Sequence, residues 1–90
     1  MSKGFDMELF LAGVMTGSPA TRQRHLRQAM AIQIAIAARW QRNNPWTWKR
    51  KHLVWFLNHS LNLKTEATRY YYRLTAQLIA ERLKKSWFES

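Results

Sequence analysis

Apolar positions recur at helical spacing in four stretches of this chain, separated by short polar or proline-bearing breaks. Met7–Thr16 (MELFLAGVMT) predicts a short first helix, with Asp6 as its cap and Glu8 at its positive end. Gly17-Ser18-Pro19 stops it. Ser18 then caps a second helix with Pro19 at the first position, where a missing N–H costs nothing. That helix is predicted from Pro19 to about Asn43. At 100° per residue, Leu26, Ala29, Met30, Ile32, Ile34, Ile36, Ala37 and Trp40 span an apolar arc wider than a surface stripe. A central helix with more than one neighbour is expected. The remaining arc carries Arg24, Arg27, Ala31, Ala35, Ala38, Arg39 and Arg42, small in the middle and basic at the ends. Such a shape would let a phosphate backbone approach between cations. Equally, the alanines favour helix and the arginines solubilise it.

Asn43-Asn44-Pro45 ends the second helix, because the residue before proline is pushed out of the helical region. The third helix is predicted from about Thr47 to Leu61, with Leu53, Phe56, Leu57 and Leu61 on its core face. Trp48 and Trp55 lie on another flank, near His52 and His59. They are expected to pack on the first helix or a second subunit, or to stack on bases. Asn62-Leu63-Lys64 forms a turn, and Thr65 caps a fourth helix from Glu66 to about Trp87. Its apolar side holds Ala67, Tyr71, Leu74, Leu78, Ile79 and Leu83. Its polar row holds Arg69, Arg73, Gln77, Ala80 and Lys84, flanked by Tyr70 and Tyr72. The fold class is therefore all-α: one compact four-helix domain over residues 1–90, with short connections and roughly antiparallel neighbours.

The third and fourth helices follow helix-turn-helix order, which would place Thr68, Arg69, Tyr72 and Arg73 at base edges. Thr65–Leu74 (TEATRYYYRL) resembles the S/T-x-x-T-x-x-x-Y run in the helical DNA-clamping domains of tyrosine recombinases. The likeness is confined to those residues, no catalytic domain accompanies it, and it transfers no residue roles.

Composition narrows the class. Ninety residues hold one modest core. A chain that is 47% hydrophobic is too apolar for intrinsic disorder, and three Gly with two Pro leave few turns. With no cysteine there is no disulfide framework or thiolate site, which fits a cytoplasmic protein. The longest apolar run, Ala29–Ala38, is broken by Gln33 and falls far short of the ~20 residues of a membrane span. Met7–Met15 has acids rather than cations before it and does not read as a signal peptide.

Charge points to a partner. Fifteen Lys and Arg face five Asp and Glu, a net charge of +10. Between Glu8 and Glu66 there is no acidic residue, and nine basic residues fall there. A window of one sign is a standing positive potential, and the commonest cellular polyanion is nucleic acid. The densest run, Lys49-Arg50-Lys51, sits inside Asn44–Trp55 (NPWTWKRKHLVW) with three of the five tryptophans. Rings beside cations suit a phosphate backbone with stackable bases. Arg22, Arg24, Arg27, Lys49, Arg50, Lys51, Arg69 and Arg73 are the candidate phosphate contacts, with Trp46 and Trp48 as candidate stacking residues. Lys49–Lys51 are expected in the middle of a basic surface that the other two clusters extend.

Catalytic chemistry is not expected. There is no Gly-rich phosphate loop, CxxC or HExxH. His52 and His59 lie two helical turns apart, too far for one metal. Asp6, Glu8, Glu66, Glu81 and Glu89 form no paired motif for acid–base work. The expectation is a non-enzymatic DNA- or RNA-binding protein without cofactor. The alternative is an interaction subunit or inhibitor that docks on an acidic protein surface, within a ribonucleoprotein assembly or as a homodimer. Trp55, Trp87 and Phe88 are the residues that would anchor such an interface.

Overall fold

Three side-chain caps start three of the four helices. The computed structural model describes residues 5–62 and 64–88. Residues 1–4, Leu63 of the turn and the last two residues of the tail lie outside them. Asp6 Oδ1 accepts the Leu9 N–H at 3.1 Å and opens α1, Met7–Leu11. Ser18 Oγ accepts the Thr21 N–H at 3.2 Å and opens α2, Pro19–Trp40. Thr65 Oγ1 accepts the Thr68 N–H at 3.2 Å and opens α4, Glu66–Arg82. Between them lies α3, Arg50–Trp55. No strand is present among the described residues. Gly17 takes φ +97° between α1 and α2, a conformation that costs glycine little.

The helices end earlier than the apolar pattern predicts. α1 stops at Leu11, whose carbonyl accepts the N–H groups of both Val14 and Met15 at 3.0 Å. α2 stops at Trp40, where Gln41 turns left-handed at φ 59° and donates its N–H to Ala37 O at 2.7 Å. α4 stops at Arg82 rather than near Trp87. Lys84 is left-handed at φ 60°, the Lys85 N–H reaches back to Ala80 O and the Lys84 N–H to Glu81 O, both at 2.9 Å. This is the Schellman pattern, and it satisfies carbonyls that the helix end leaves unpaired. Trp87 and Phe88 then pack half-buried against the core.

The third helix departs most from expectation. In place of one helix over Thr47–Leu61 there is a 3₁₀ turn, Pro45–Thr47, then two extended residues, then α3, then a π-helical turn, Phe56–Ser60. Asn44 builds the first turn: its Oδ1 accepts the Trp46 N–H at 2.9 Å and its carbonyl accepts Thr47 Oγ1 at 2.7 Å. Trp48 then donates its Nε1–H to Arg42 O at 2.6 Å. That bond draws the indole inward, leaving it only 4% exposed and part of the core. Trp48 is therefore a core residue and cannot stack on bases. Trp40 meets His52 edge-on at 4.6 Å and Trp55 at 5.1 Å, so these rings join α3 to the end of α2 rather than to the first helix. It is Trp46 that reaches α1, edge-on to Phe10 at 5.3 Å.

α2 is the central element, packing on α1, α4 and the π-helical turn. Its buried line is His25, Ala29, Ile32 and Ile36. Met30 and Ile34 stay exposed, so the covered arc is narrower than the apolar one. α4 buries Thr75, Ala76, Ile79, Ala80 and Leu83. Ala67 is exposed, and Tyr71, Leu74 and Leu78 are only half-buried. Ile79 and Leu83 of the expected apolar side are thus covered, while the helix is rolled partly away from Tyr71, Leu74 and Leu78. Small side chains let it approach α2 closely, and Thr75 finds polar partners there. Thr75 Oγ1, with one proton to give, has Gln28 Oε1 at 2.8 Å and Tyr71 O at 3.1 Å as acceptors, and pairs with His25 Nδ1 at 2.8 Å. Arg82 closes the far end: its Nε donates to Phe10 O at 2.7 Å and its guanidinium lies over Phe10 and Trp46. The radius of gyration, 12.5 Å, matches the roughly 12 Å of a globular chain this long.

Truncation of the two neighbouring tryptophans separates their roles. Trp48→Ala is expected to cost about 3–5 kcal/mol, the range for emptying a large core site. Trp46→Ala, at a ring 53% exposed, should cost much less. Urea unfolding of both variants checks this, and equal costs would contradict the placement.

Candidate nucleic-acid interface

The start of α3 concentrates cations where a helix least favours them. Lys49 is its cap residue and Arg50 and Lys51 occupy its first turn, against the positive end of the helix dipole. The turn is held instead by His52, whose Nδ1 accepts the Lys49 N–H at 2.8 Å. A third-position Glu or Gln usually makes this bond. His52 is buried while Lys49, Arg50 and Lys51 are all exposed, so one side chain anchors the turn and three face outward.

These three cations border a groove of about 770 Å³. Arg42 and Lys85 also line it, as do Trp46 and Trp87, and among the described residues no acidic side chain does. Arg50 Nε donates to Trp87 O at 3.3 Å, which ties the C-terminal tail to the corner. Arg42 was legible as a neighbour of the turn. Lys85 and Trp87 were not, because only the reversal after α4 carries them there.

The other candidates are distributed differently from the single surface expected. Arg22 is exposed and lines a cleft against α1 with Glu8 and Met15. Arg24 turns towards α4, its guanidinium 4.2 Å from the centre of the Tyr71 ring and its Nε buried without a hydrogen-bond partner. It acts in packing. Arg27 is exposed. Arg69 and Arg73 are exposed on α4 and line a second groove of about 720 Å³ with Tyr70, Tyr71, Asn58 and Asn62. Thirteen residues, or about 20 Å of helix, separate Arg69 from Arg82, which abuts the corner at Trp46. Lys49–Lys51 therefore belong to one end of α4 and Arg69–Arg73 to the other. The helix-turn-helix set also separates. Thr68 bonds back to Thr65 at 3.0 Å, and Tyr72 packs on Phe56 at 5.4 Å. Only Arg69 and Arg73 of the four stand out in solvent.

No family model, curated protein or solved structure matches this chain. The functional reading rests on the site itself. Among the described residues, no helix is long and apolar enough to cross a membrane.

Both buried histidines have their pKa values lowered. For His52 the main cause is burial, followed by the charges of Lys51, Arg42 and Lys49. For His25 it is burial, then Arg24. Protonating His52 at Nδ1 would also remove the acceptor that starts α3. A lowered folded pKa means the unfolded chain takes up the proton first. Stability is then complete above the ordinary histidine value of 6.5 and lost as pH falls through the lowered one. The urea midpoint is expected to be lower at pH 5 than at pH 8. His52→Gln, which can keep the bond without titrating, should flatten that dependence in part, leaving the share of His25.

Proposed function

We propose that this protein binds nucleic acid through the phosphate backbone, with the corner groove as its principal contact. One observation carries the reading. Arg42, Lys49, Arg50, Lys51 and Lys85 converge around a half-exposed Trp46, with no carboxylate lining the groove among the described residues. Cations on a groove draw in a polyanion and release its counterions, so affinity should fall steeply with salt. Trp46 offers a ring to a base or sugar at the same place. Placing three cations at a helix start sacrifices local stability, a pattern more usual at functional sites than in a solvated face. The reading is of a small, non-enzymatic, cytoplasmic binding protein. DNA and RNA both satisfy a backbone contact.

A second reading has its own observation. Met30 and Ile34 lie one turn apart on α2, 48% and 69% exposed. That stripe supports a protein partner or a second copy of the chain. Trp55, Trp87 and Phe88 lend it less support, since all three are half-buried within the fold.

The expected outcome of Lys51→Glu tests the first reading. Binding to a 20-base-pair duplex, followed by fluorescence anisotropy, should weaken, and the salt slope should fall by at least about one phosphate contact. Stability should rise by about 1 kcal/mol, because an acid replaces a cation in the first turn. For a domain of this size that is about 4–8 °C in Tm. Weaker binding with a lower Tm would assign Lys51 to structure.

A further inference from the structure

The second groove, at the start of α4, has a different character from the corner. Its floor is the Tyr70–Tyr71 pair, packed edge-to-face at 5.5 Å. Tyr71 is held from behind by the Arg24 guanidinium. Tyr70 is 55% exposed, a large ring open to the groove. Arg69 and Arg73, one helical turn apart, flank it. The opposite wall is the π-helical turn, which contributes Asn58, followed by Asn62. Short π segments recur at functional sites because the wider turn re-aims side chains. One carboxylate, Glu66, also lines the groove.

Each group has a counterpart in an unpaired nucleotide. A ring available on one face stacks on a base, which a base already stacked in a duplex cannot do. Two arginines at one-turn spacing meet a phosphate on either side of it. Primary amides and a carboxylate read base edges, the amide offering both donor and acceptor and the carboxylate accepting from an exocyclic amine. The volume, about 720 Å³, falls within the ~300–1,000 Å³ of small-ligand sites and suits one or two nucleotides rather than a duplex. We infer that this groove is a base-binding site for single-stranded nucleic acid, with Tyr70 as the stacking platform and Arg69 and Arg73 as the phosphate contacts. The inference rests on the nucleic-acid reading of the corner and specifies which form of the polymer the protein prefers.

The test compares a labelled 20-nucleotide single strand with a 20-base-pair duplex by fluorescence anisotropy at one fixed salt concentration. Five proteins are titrated: wild type, Tyr70→Ala, Tyr70→Phe, Arg73→Ala and Lys51→Glu. Tyr70→Ala should weaken single-strand binding by about 5- to 100-fold, the loss of one stacked base, and leave duplex binding unchanged. Tyr70→Phe keeps the ring and should bind like wild type. Arg73→Ala, at a second exposed position, is expected to lower single-strand binding more than duplex binding, and serves if Tyr70→Ala fails to fold. Equal affinity of wild type and Tyr70→Ala for the single strand overturns the inference. If Lys51→Glu still loses affinity for both polymers, the corner reading stands without it. Wild type that binds neither polymer at low salt sinks both. A nucleoside monophosphate that binds as tightly as the strand, with the same Tyr70 dependence, would make the ligand a free nucleotide and overturn the single-strand assignment.

Discussion

The packing of α4 on α2 is the constraint on which the rest of this structure depends. Ala29, Ile32 and Ile36 on one side and Ala76, Ile79 and Ala80 on the other are all buried. Small residues at such a seam let two backbones approach closely and leave little room for adjustment. The seam also carries a polar pin, His25 to Thr75 to Gln28, whose bonds must all be satisfied once buried. Together these fix the rotation of α4 about its own axis. That rotation places Arg69, Tyr70 and Arg73 outward, sets Tyr71 under Arg24, and carries Arg82 to α1 and the corner. A change at the seam would therefore be felt at both ends of the helix.

The two grooves divide the basic character of the chain by chemistry. At the corner, charge dominates: five cations, a half-exposed indole and, among the described residues, no acid. At the start of α4, charge is balanced by recognition chemistry: two arginines, two amides, a carboxylate and an exposed phenol ring. On the proposed reading, the cations set against the helix dipole and the exposed Tyr70 ring both serve a ligand. In the proposed function, the corner would attract the polyanion and the second groove would discriminate among its forms. Several aromatic residues that a sequence reading offers to a ligand serve instead to hold these grooves open. Trp48 fills the space behind the corner, Trp40 and Trp55 lock α3 onto α2, and Tyr72 backs the π-helical turn through Phe56.

The sequence by itself determined three of the four helix starts, the fold class and the sign of the surface. Asp6, Ser18 and Thr65 each satisfy an N–H three residues on, a local bond that needs no tertiary partner. Proline and glycine punctuation made the first three helical units legible, and the Thr65 cap marked the fourth. The one-signed window between Glu8 and Glu66 required only counting. What the tertiary structure alone decided is which residues of each helix are covered and which cations stand together. Apolar periodicity chose Tyr71, Leu74 and Leu78 for the buried side of α4, but close packing on α2 favoured Thr75, Ala76 and Ala80. The inward pull on Trp48 depends on a carbonyl six residues away, across a turn that propensity does not describe. Lys85 and Trp87 reached the corner, and Arg69 and Arg73 were kept from it, because a helix is a rigid rod. Residues at its two ends cannot share a site, and where the chain reverses after it decides what does.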